Sequence, residues 1–377
     1  MNVVWFAEIK WDYLRTRKQQ LIRRRPSGLD VLFLEPFVRG RENRYDVRPI
    51  DGIRAVTIPF IKNVPSGPGR GALNLPMTRH IVDASARARV RGHLRRAGIE
   101  PRESVFIISN VYAIHVAASF SARRLVYDCN DAHADFPGMP AWTHRYQEET
   151  LRCADRVIVS AKRLGDDATR VRGSDRDIFL VGNGVDHAAF RAALGLRARE
   201  PGARPCIGYL GAIAPWFDFE LVGALAASHP EWDVVLVGPV LPGAGPAVER
   251  LAATANVTVR PAVAHDDVPR VLSGFDVGLI PFRINALTTR VNPNKLYEYL
   301  AAGLPVVSTP FSDDVVEEPG MVARAAEAES FARACGEMLA LRRESDARER
   351  LAGRASEIAA GHDWDRIARE FWACACD

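Results

Sequence analysis

The 377-residue sequence has no CxxC pair; its cysteines (Cys129, Cys153, Cys206, Cys335, Cys374, Cys376) are scattered, with a lone CxC at 374–376. A disulfide framework and a zinc-ribbon spacing are thereby excluded, and free thiols in a reducing compartment are expected. No cluster of metal-ligating residues stands out, so no metal and no cofactor is expected. A long apolar run is missing too. VFIISNVYAIHVAASF is interrupted by Asn110 and His115, so it is no membrane span. No basic leader precedes MNVVWFAEIK, and a cytoplasmic protein is expected. No convincing GxGxxG follows a strand: NVPSGPGRG (63–71) neither follows a clear strand nor opens a clear helix, which disfavours a dinucleotide-dependent oxidoreductase. No helix-turn-helix, zinc-finger or RNA-binding signature is present, so nucleic acid is not an expected partner.

What is present is an ordinary globular composition, 47% apolar and 25% charged, in a chain long enough for two domains. Charge is unevenly spread. Residues 1–185 carry 31 Lys+Arg against 20 Asp+Glu, and the remainder compensates to the overall +4. Arginine dominates, concentrated in RTRKQQLIRRR (15–25) and ARARVRGHLRR (86–96). An anionic membrane surface or a phosphate-bearing acceptor fits such a basic half.

Apolar runs rich in Val, Ile, Leu and Phe alternate with helical stretches in both halves. In the first half they are VVWFAEI (3–9), DVLFLEP (30–36), SVFIISN (104–110), RLVYDCND (124–131), DRVIVS (155–160) and DIFLVGNGVD (177–186). After HAAFRAALGLRAREPGAR (187–204), read as a linker, CIGYLGAI (206–213), DVVLVGPV (233–240), VTVR, DVGLIPF (276–282) and PVVSTP restart the pattern. Strands buried on both faces and separated by helices predict parallel sheets covered on both sides. Two doubly wound α/β domains are expected, over 1–186 and 205–360. An amphipathic helix over 361–377, with Trp364, Ile367, Phe371 and Trp372 on one side, follows them. Ligands of such sheets bind beyond the carboxyl ends of the strands, and two such domains leave a cleft.

The stretch NPNKLYEYLAAGLPVVSTP (292–310) is the most informative. Asn292 is suited to cap a helix and Pro293 to its first turn, while Gly303 and Pro305 stop it. Leu296, Tyr299 and Leu300 form the buried side; Lys295 and Glu298 share another face at i, i+3. The helix start suits a phosphate, and a carboxylate one turn on can hold a ribose diol. An ordinary surface ion pair explains the same spacing and stays open on periodicity alone.

That stretch resembles the donor-site helix of GT-B fold glycosyltransferases of group 1, the family 4-like kind. VGNGVD (181–186), IGYLGAI (207–213) and AVAHDDVPRVLSGFDVGLIPF (262–282) resemble the same family in the same order. RLVYDCNDAHADFPG and the terminal HDW helix resemble a bacterial subset of it. The resemblance covers nearly the whole chain and implies two Rossmann-like domains facing across a cleft, with the C-terminal helix crossing back to the first. It implies that Glu298 binds the ribose hydroxyls and that Lys295 lies near the diphosphate. Gly211 and Ala212 would turn their amides to that diphosphate, and Val263 would sit by the nucleobase. It also implies transfer of a sugar from a nucleotide-sugar donor to a glycan or lipid-linked hydroxyl acceptor, without a metal, in polysaccharide or lipid-linked glycan assembly.

The chain departs from the family at one position. Eight residues before Glu298, where many members carry a glutamate that contacts the donor sugar, stands Arg290. Arg290 and the nearby Arg283 suit a negatively charged sugar such as a uronic acid. The loss also leaves retaining or inverting stereochemistry open. For the acceptor side, YDCNDAHAD (127–135) follows a strand that reaches the cleft. Asp131 is the expected base, with Asp128 second; both suit turn capping as well. Asp135 is read as turn structure and His115 as a core or rim histidine. Glu8 and Trp11 either line the acceptor side or pack. The alternatives are a UDP-sugar epimerase or hydrolase of the same fold and a non-catalytic nucleotide-sugar-binding subunit.

Overall fold

The structure, a computed structural model, describes every residue except Leu14, 62–67 and 193–202. It divides into two compact units, Met1–Gly182 with Ala368–Asp377, and Asn183–Ile367.

The first unit is built on an eight-stranded sheet. Its strands are β1 (Asn2–Phe6), β2 (Asp30–Pro36), β3 (Arg48–Ile50), β4 (Ile53–Ile58), β5 (Val105–Ile108), β6 (Arg124–Cys129), β7 (Arg156–Val159) and β8 (Ile178–Leu180), in the order β3-β4-β2-β1-β5-β6-β7-β8. All neighbours are parallel except β3 and β4. Val3, Val4, Trp5 and Phe6 are wholly buried, as the unbroken apolar run of a central parallel strand requires. β3 escaped the sequence reading. It is three residues long and joined to β4 through Asp51-Gly52, both at positive φ, a tight hairpin turn typical of an Asp-Gly pair. The run 104–110 yields a shorter strand because Ser109 and Asn110 leave it: both amides bond the Phe6 carbonyl, and the Asn110 side chain accepts from the Tyr112 amide.

The basic stretch 15–25 is largely buried in its helical part. It forms a helix, Arg17–Arg23, opened by a Thr16/Gln19 capping box, and Arg17, Lys18, Gln19 and Gln20 are buried. Arg17 Nε bonds Asp128 Oδ1 at 3.0 Å, and Lys18 pairs with Glu8 and donates to Asn130. Lys10 meets Glu35 at 3.0 Å, and Glu35 also accepts from the Trp11 amide. Glu8 and Trp11 therefore pack. Buried cations need such partners, and that of Arg17 lies 111 residues away in the chain, where periodicity cannot see it.

The terminal helix, Trp364–Cys376, packs against the first sheet through its last nine residues. Phe371 stacks on Trp5 at 5.7 Å, and Trp372 Nε1 donates to the Leu21 carbonyl. Arg156 and Arg124 donate to the Cys374 and Ala375 carbonyls, two groups that every helix end leaves without an internal partner.

His115 joins three helices of this unit. Its Nδ1 lies 3.1 Å from Asp83 Oδ2 and its Nε2 2.7 Å from Glu149 Oε2. The Asp83 hydrogen bond raises its pKa, burial opposes, and Glu149 adds to the rise. A histidine raised in the folded state stabilises fully below its unfolded value and loses that contribution as pH rises through the folded value. His115→Gln is therefore expected to cost about 1 kcal/mol at pH 6, the imidazolium being partly exposed, and clearly less at pH 9. Melting temperatures of both proteins across that range check this; a gap independent of pH would refute the clamp.

The second unit holds β9 (Cys206–Leu210), β10 (Asp233–Val237), β11 (Val257–Arg260), β12 (Val277–Ile280), β13 (Val306–Ser308) and β14 (Val322–Arg324), all parallel, in the order β11-β10-β9-β12-β13-β14. The short β14 and the helices Ala328–Arg343 and Ser345–Ala360 were not read from the pattern. The expected linker 187–204 lies mostly outside the described residues. Its start is not a linker: His187–Arg191 is a helix, capped by the Asp186 side chain, and it belongs to this unit. The loop 63–71 also lies largely outside the described residues; its end opens a short helix, Pro68–Leu73.

Candidate functional site

In the second sheet the order reverses between β9 and β12: the chain runs from β9 outward to β11, then returns to β12 on β9's other side. That is a topological switch point, where the loops after neighbouring strands diverge and leave a crevice. The two strands are in register only at Ile207–Val277 and Gly208–Gly278. Beyond that, Tyr299 is wedged between them. Its hydroxyl accepts from the Leu210 amide at 2.9 Å and donates to the Leu279 carbonyl at 3.4 Å. A Cβ on Gly278 would lie 2.5 Å from the Tyr299 ring, so only glycine admits the wedge.

Above this crevice stands the helix Asn294–Ala301, one residue later than the sequence suggested, with Pro293 as its N-cap and Gly303 left-handed past its end. Leu296, Tyr299 and Leu300 are buried as expected, and Tyr297 with them. Lys295 and Glu298 are both half-buried. The ion pair that their spacing allows is not among those of the described residues. Lys295 instead lays its ammonium 4.8 Å from the Phe282 ring centroid and 5.5 Å from that of Tyr209. Burial brings its pKa down to about 8, with Glu298 opposing; burial raises the Glu298 carboxyl, with Lys295 opposing. A cation held over aromatic faces, short of a carboxylate, remains available to an anionic ligand.

Gly211 follows β9 at φ +140°, and a Cβ there would come 3.2 Å from Lys295 Cε. A Cβ on Gly238, the residue after β10, would collide with the Gly211 carbonyl. Two glycines thus let the turn lie flat beside the lysine. The Gly211 amide donates to the Val237 carbonyl at 2.9 Å, so it extends the sheet and does not point at a ligand. This corrects its expected role. Ala212 is half-buried just beyond the sheet, and its carbonyl accepts from the Tyr209 hydroxyl, which fixes the turn. The sequence reading missed Tyr209, Phe282 and Tyr299; the tyrosines at β9 and on the helix looked like core, which in part they are.

The remaining expected residues spread around the same strand ends. Val263 is exposed in the loop after β11, a strand that lies two positions, roughly 10 Å, from β9. Arg283 is exposed three residues past the end of β12. Arg290 is half-buried at the end of a single helical turn and donates to the Ala286 carbonyl. Asn292 does not cap the helix. Its Oδ1 accepts from the Asn183 amide at 3.1 Å, and its Nδ2 donates to the Tyr297 hydroxyl at 3.1 Å.

In the first unit the two aspartates part company. Asp128 is wholly buried and pinned by Arg17, whose Nη1 also reaches the Gly182 carbonyl; its role as an accessible base is corrected to that of a structural anchor. Asp131, three residues on and past the strand, is half-buried and accepts from Asn130 Nδ2 at 2.9 Å. Asp135 lies in a single helical turn, as read. Among the described residues no three His, Cys, Asp or Glu side chains are grouped to hold a metal ion.

Residues 204–340 match the family described as Glycosyl transferases group 1. The teichuronic acid biosynthesis glycosyltransferase TuaH of Bacillus subtilis (strain 168) is 26% identical over 210 residues, which are 52% of this chain and 52% of that protein. The chain thus matches about half the length of this curated relative. Among solved structures, Anabaena Alr3699/HepE in complex with UDP and glucose superposes with a TM-score of 0.67 at 17% identity, covering 98% of this chain and 97% of that one. Sucrose-phosphate synthase (tll1590) from Thermosynechococcus elongatus does so with a TM-score of 0.73 at 14% identity, covering 98% and 97%. Two Rossmann-like parallel-sheet units of this kind make the fold GT-B. Within the second unit, residues 204–340 are thus similar to the group 1 glycosyltransferases.

Proposed function

We propose that this protein transfers a sugar from a nucleotide-sugar donor to a hydroxyl of a glycan or lipid-linked acceptor. The observation that carries the reading is Lys295: a cation set at a switch point, over aromatic rings, beside a glycine turn. The donor diphosphate would meet Lys295, the Ala212 amide and the first-turn amides of Asn294–Ala301, which together stabilise the leaving group without a bound metal. Glu298, one turn further in, would hold the ribose, and Val263 would border the base. Solved relatives of the fold hold UDP or UDP-glucose, which supports a uridine donor. A panel of nucleotide sugars tests the reading. One of them is expected to raise the melting midpoint by mass action, and turnover is expected only with an acceptor. Release of the sugar without acceptor would favour the hydrolase or epimerase alternative.

The charge at Arg283 and Arg290 favours an anionic sugar, and the relative named for teichuronic acid biosynthesis fits the same reading. UDP-glucuronate is expected to bind better than UDP-glucose; equal affinities would remove the argument. On the acceptor side Asp131 is proposed as the base. Asp131→Asn is expected to lower turnover about 10²–10⁴-fold and to leave donor affinity unchanged. Normal turnover in that variant would place the base elsewhere.

No helix among the described residues is long and apolar enough to cross a membrane. Peripheral attachment at the cytoplasmic face is proposed through the helix Pro76–Arg96. There Leu75, Met77 and Ile81 are 60%, 75% and 64% exposed, and Arg89, Arg91, Arg95 and Arg96 are exposed further along. Apolar anchors beside arginines suit an anionic lipid surface. Replacing Arg91, Arg95 and Arg96 by glutamate is expected to abolish sedimentation with anionic vesicles. Undiminished sedimentation would sink this proposal.

A further inference from the structure

The chain passes between its two units twice, at Gly182–Asn183 and at Ile367–Ala368. On the second unit's side the two crossing segments are bound together. Val185 and Asp363 form a parallel bridge; the Val185 amide donates to the His362 carbonyl at 2.9 Å and the Trp364 amide to the Val185 carbonyl at 3.0 Å. A Cβ on Gly184 would collide with the His362 carbonyl, so glycine alone permits this approach. The Asp363 carboxylate also accepts from the His187 amide.

The same two segments are fastened to the start of the helix that carries Lys295 and Glu298. Asn183 and Asn292 exchange two hydrogen bonds: the Asn183 amide donates to Asn292 Oδ1, and Asn183 Nδ2 donates to the Asn292 carbonyl at 2.7 Å. Asn292 then donates to the Tyr297 hydroxyl, and the Tyr297 ring stacks on His362 at 4.0 Å and 19°. Asn292 and Tyr297 are 6% and 4% exposed, so the bond between them is largely shielded from water. A closed circuit results: first crossing, Asn292, Tyr297, His362, second crossing, and back through Val185. Lys295 and Glu298 sit on the helix turns that the circuit anchors.

The geometry points to Asn292 and Tyr297 as positioning residues that transmit donor occupancy of the helix Asn294–Ala301 to both crossing segments. The inference rests on the reading of that helix as the donor site. A ligand held by Lys295 and Glu298 fixes the helix. Through the circuit it then fixes the two segments about which the units are joined, and acceptor-side chemistry becomes dependent on donor binding.

Hydrogen exchange at the Val185 and Trp364 amides tests this, because both belong to the circuit and neither touches the proposed ligand. In wild type, saturating UDP is expected to slow exchange at both amides at least tenfold. Tyr297→Phe keeps the ring stack and removes only the hydroxyl. It is expected to bind UDP within twofold of wild type yet lose most of that protection, with kcat reduced and KM for the donor little changed. Asn292→Asp, which keeps an acceptor for the Asn183 amide, is expected to retain the protection in part. Full protection in Tyr297→Phe, or none in wild type that demonstrably binds UDP, would overturn the coupling. A wild type that binds none of UDP, GDP and TDP would instead overturn the donor-site reading beneath it.

Discussion

Affinity for UDP should fall up to tenfold for each pH unit above about 8. The cause is Lys295, whose ammonium is desolvated over Phe282 and Tyr209 and brought to a pKa of about 8. A diphosphate beside it favours the charged form and raises the pKa in the complex. Between the free and the bound value, binding takes up one proton, which gives that slope. Below pH 8 the lysine is already charged and affinity should be level. Lys295→Arg should remove the dependence, since a guanidinium stays charged throughout. Lys295→Met should lose about 2–4 kcal/mol of UDP binding, the worth of one or two charge-assisted contacts.

The apo protein should respond in the opposite sense. The folded pKa of Lys295 lies below the unfolded one, so the unfolded chain binds more protons between about 8 and the ordinary lysine value, and stability contributed by this group rises with pH there. At pH 7 Lys295→Met should not destabilise the apo protein and is expected to raise its melting point, because it removes a desolvated charge. Calorimetric titration from pH 7 to 9.5 settles the first point. A flat affinity, or a methionine variant that binds as wild type does, would detach Lys295 from the diphosphate.

The fold was legible because buried parallel strands leave long apolar runs, and two sets of them separated by a Gly/Pro-rich gap read as two sheets. What escaped was short or balanced by distant partners. β3 depends on a two-residue turn, and β14 has only three residues. The burial of Arg17 was not legible because its partner Asp128 is more than a hundred residues away. At the site, the helix Asn294–Ala301 and its two charged residues could be read to within a residue at its start, since helix geometry and the glycine stop are local. The Gly211 amide and the Asn292 side chain could not. Each had a plausible local use, and each is committed to a non-local bond, to Val237 and to Asn183. Local motifs fix which residues cluster; the sheet decides which of their donors remain free.

Glu298→Ala should weaken UDP binding about 10²-fold or more while leaving the fold intact. Two hydrogen bonds from ribose hydroxyls to a half-buried carboxylate are worth about 1.5–3 kcal/mol each, which converts to that loss. The distinguishing measurement is against the 2′-deoxy nucleotide. Wild type should prefer UDP to dUDP clearly, and Glu298→Ala should bind the two alike, because the preference belongs to the pair of carboxylate and hydroxyl. Glu298→Gln, with one acceptor oxygen and no charge, should fall between. Burial raises the Glu298 carboxyl above its ordinary value, with Lys295 only partly opposing. A carboxyl raised in the folded state takes stability away as pH climbs through that range. Glu298→Gln should therefore melt no lower than wild type at pH 8, and the glutamate is then kept for binding at the expense of stability. Should Glu298→Ala discriminate UDP from dUDP as wild type does, the carboxylate is not on the ribose. Should it lose binding and melt far below wild type, its role is in holding the helix Asn294–Ala301.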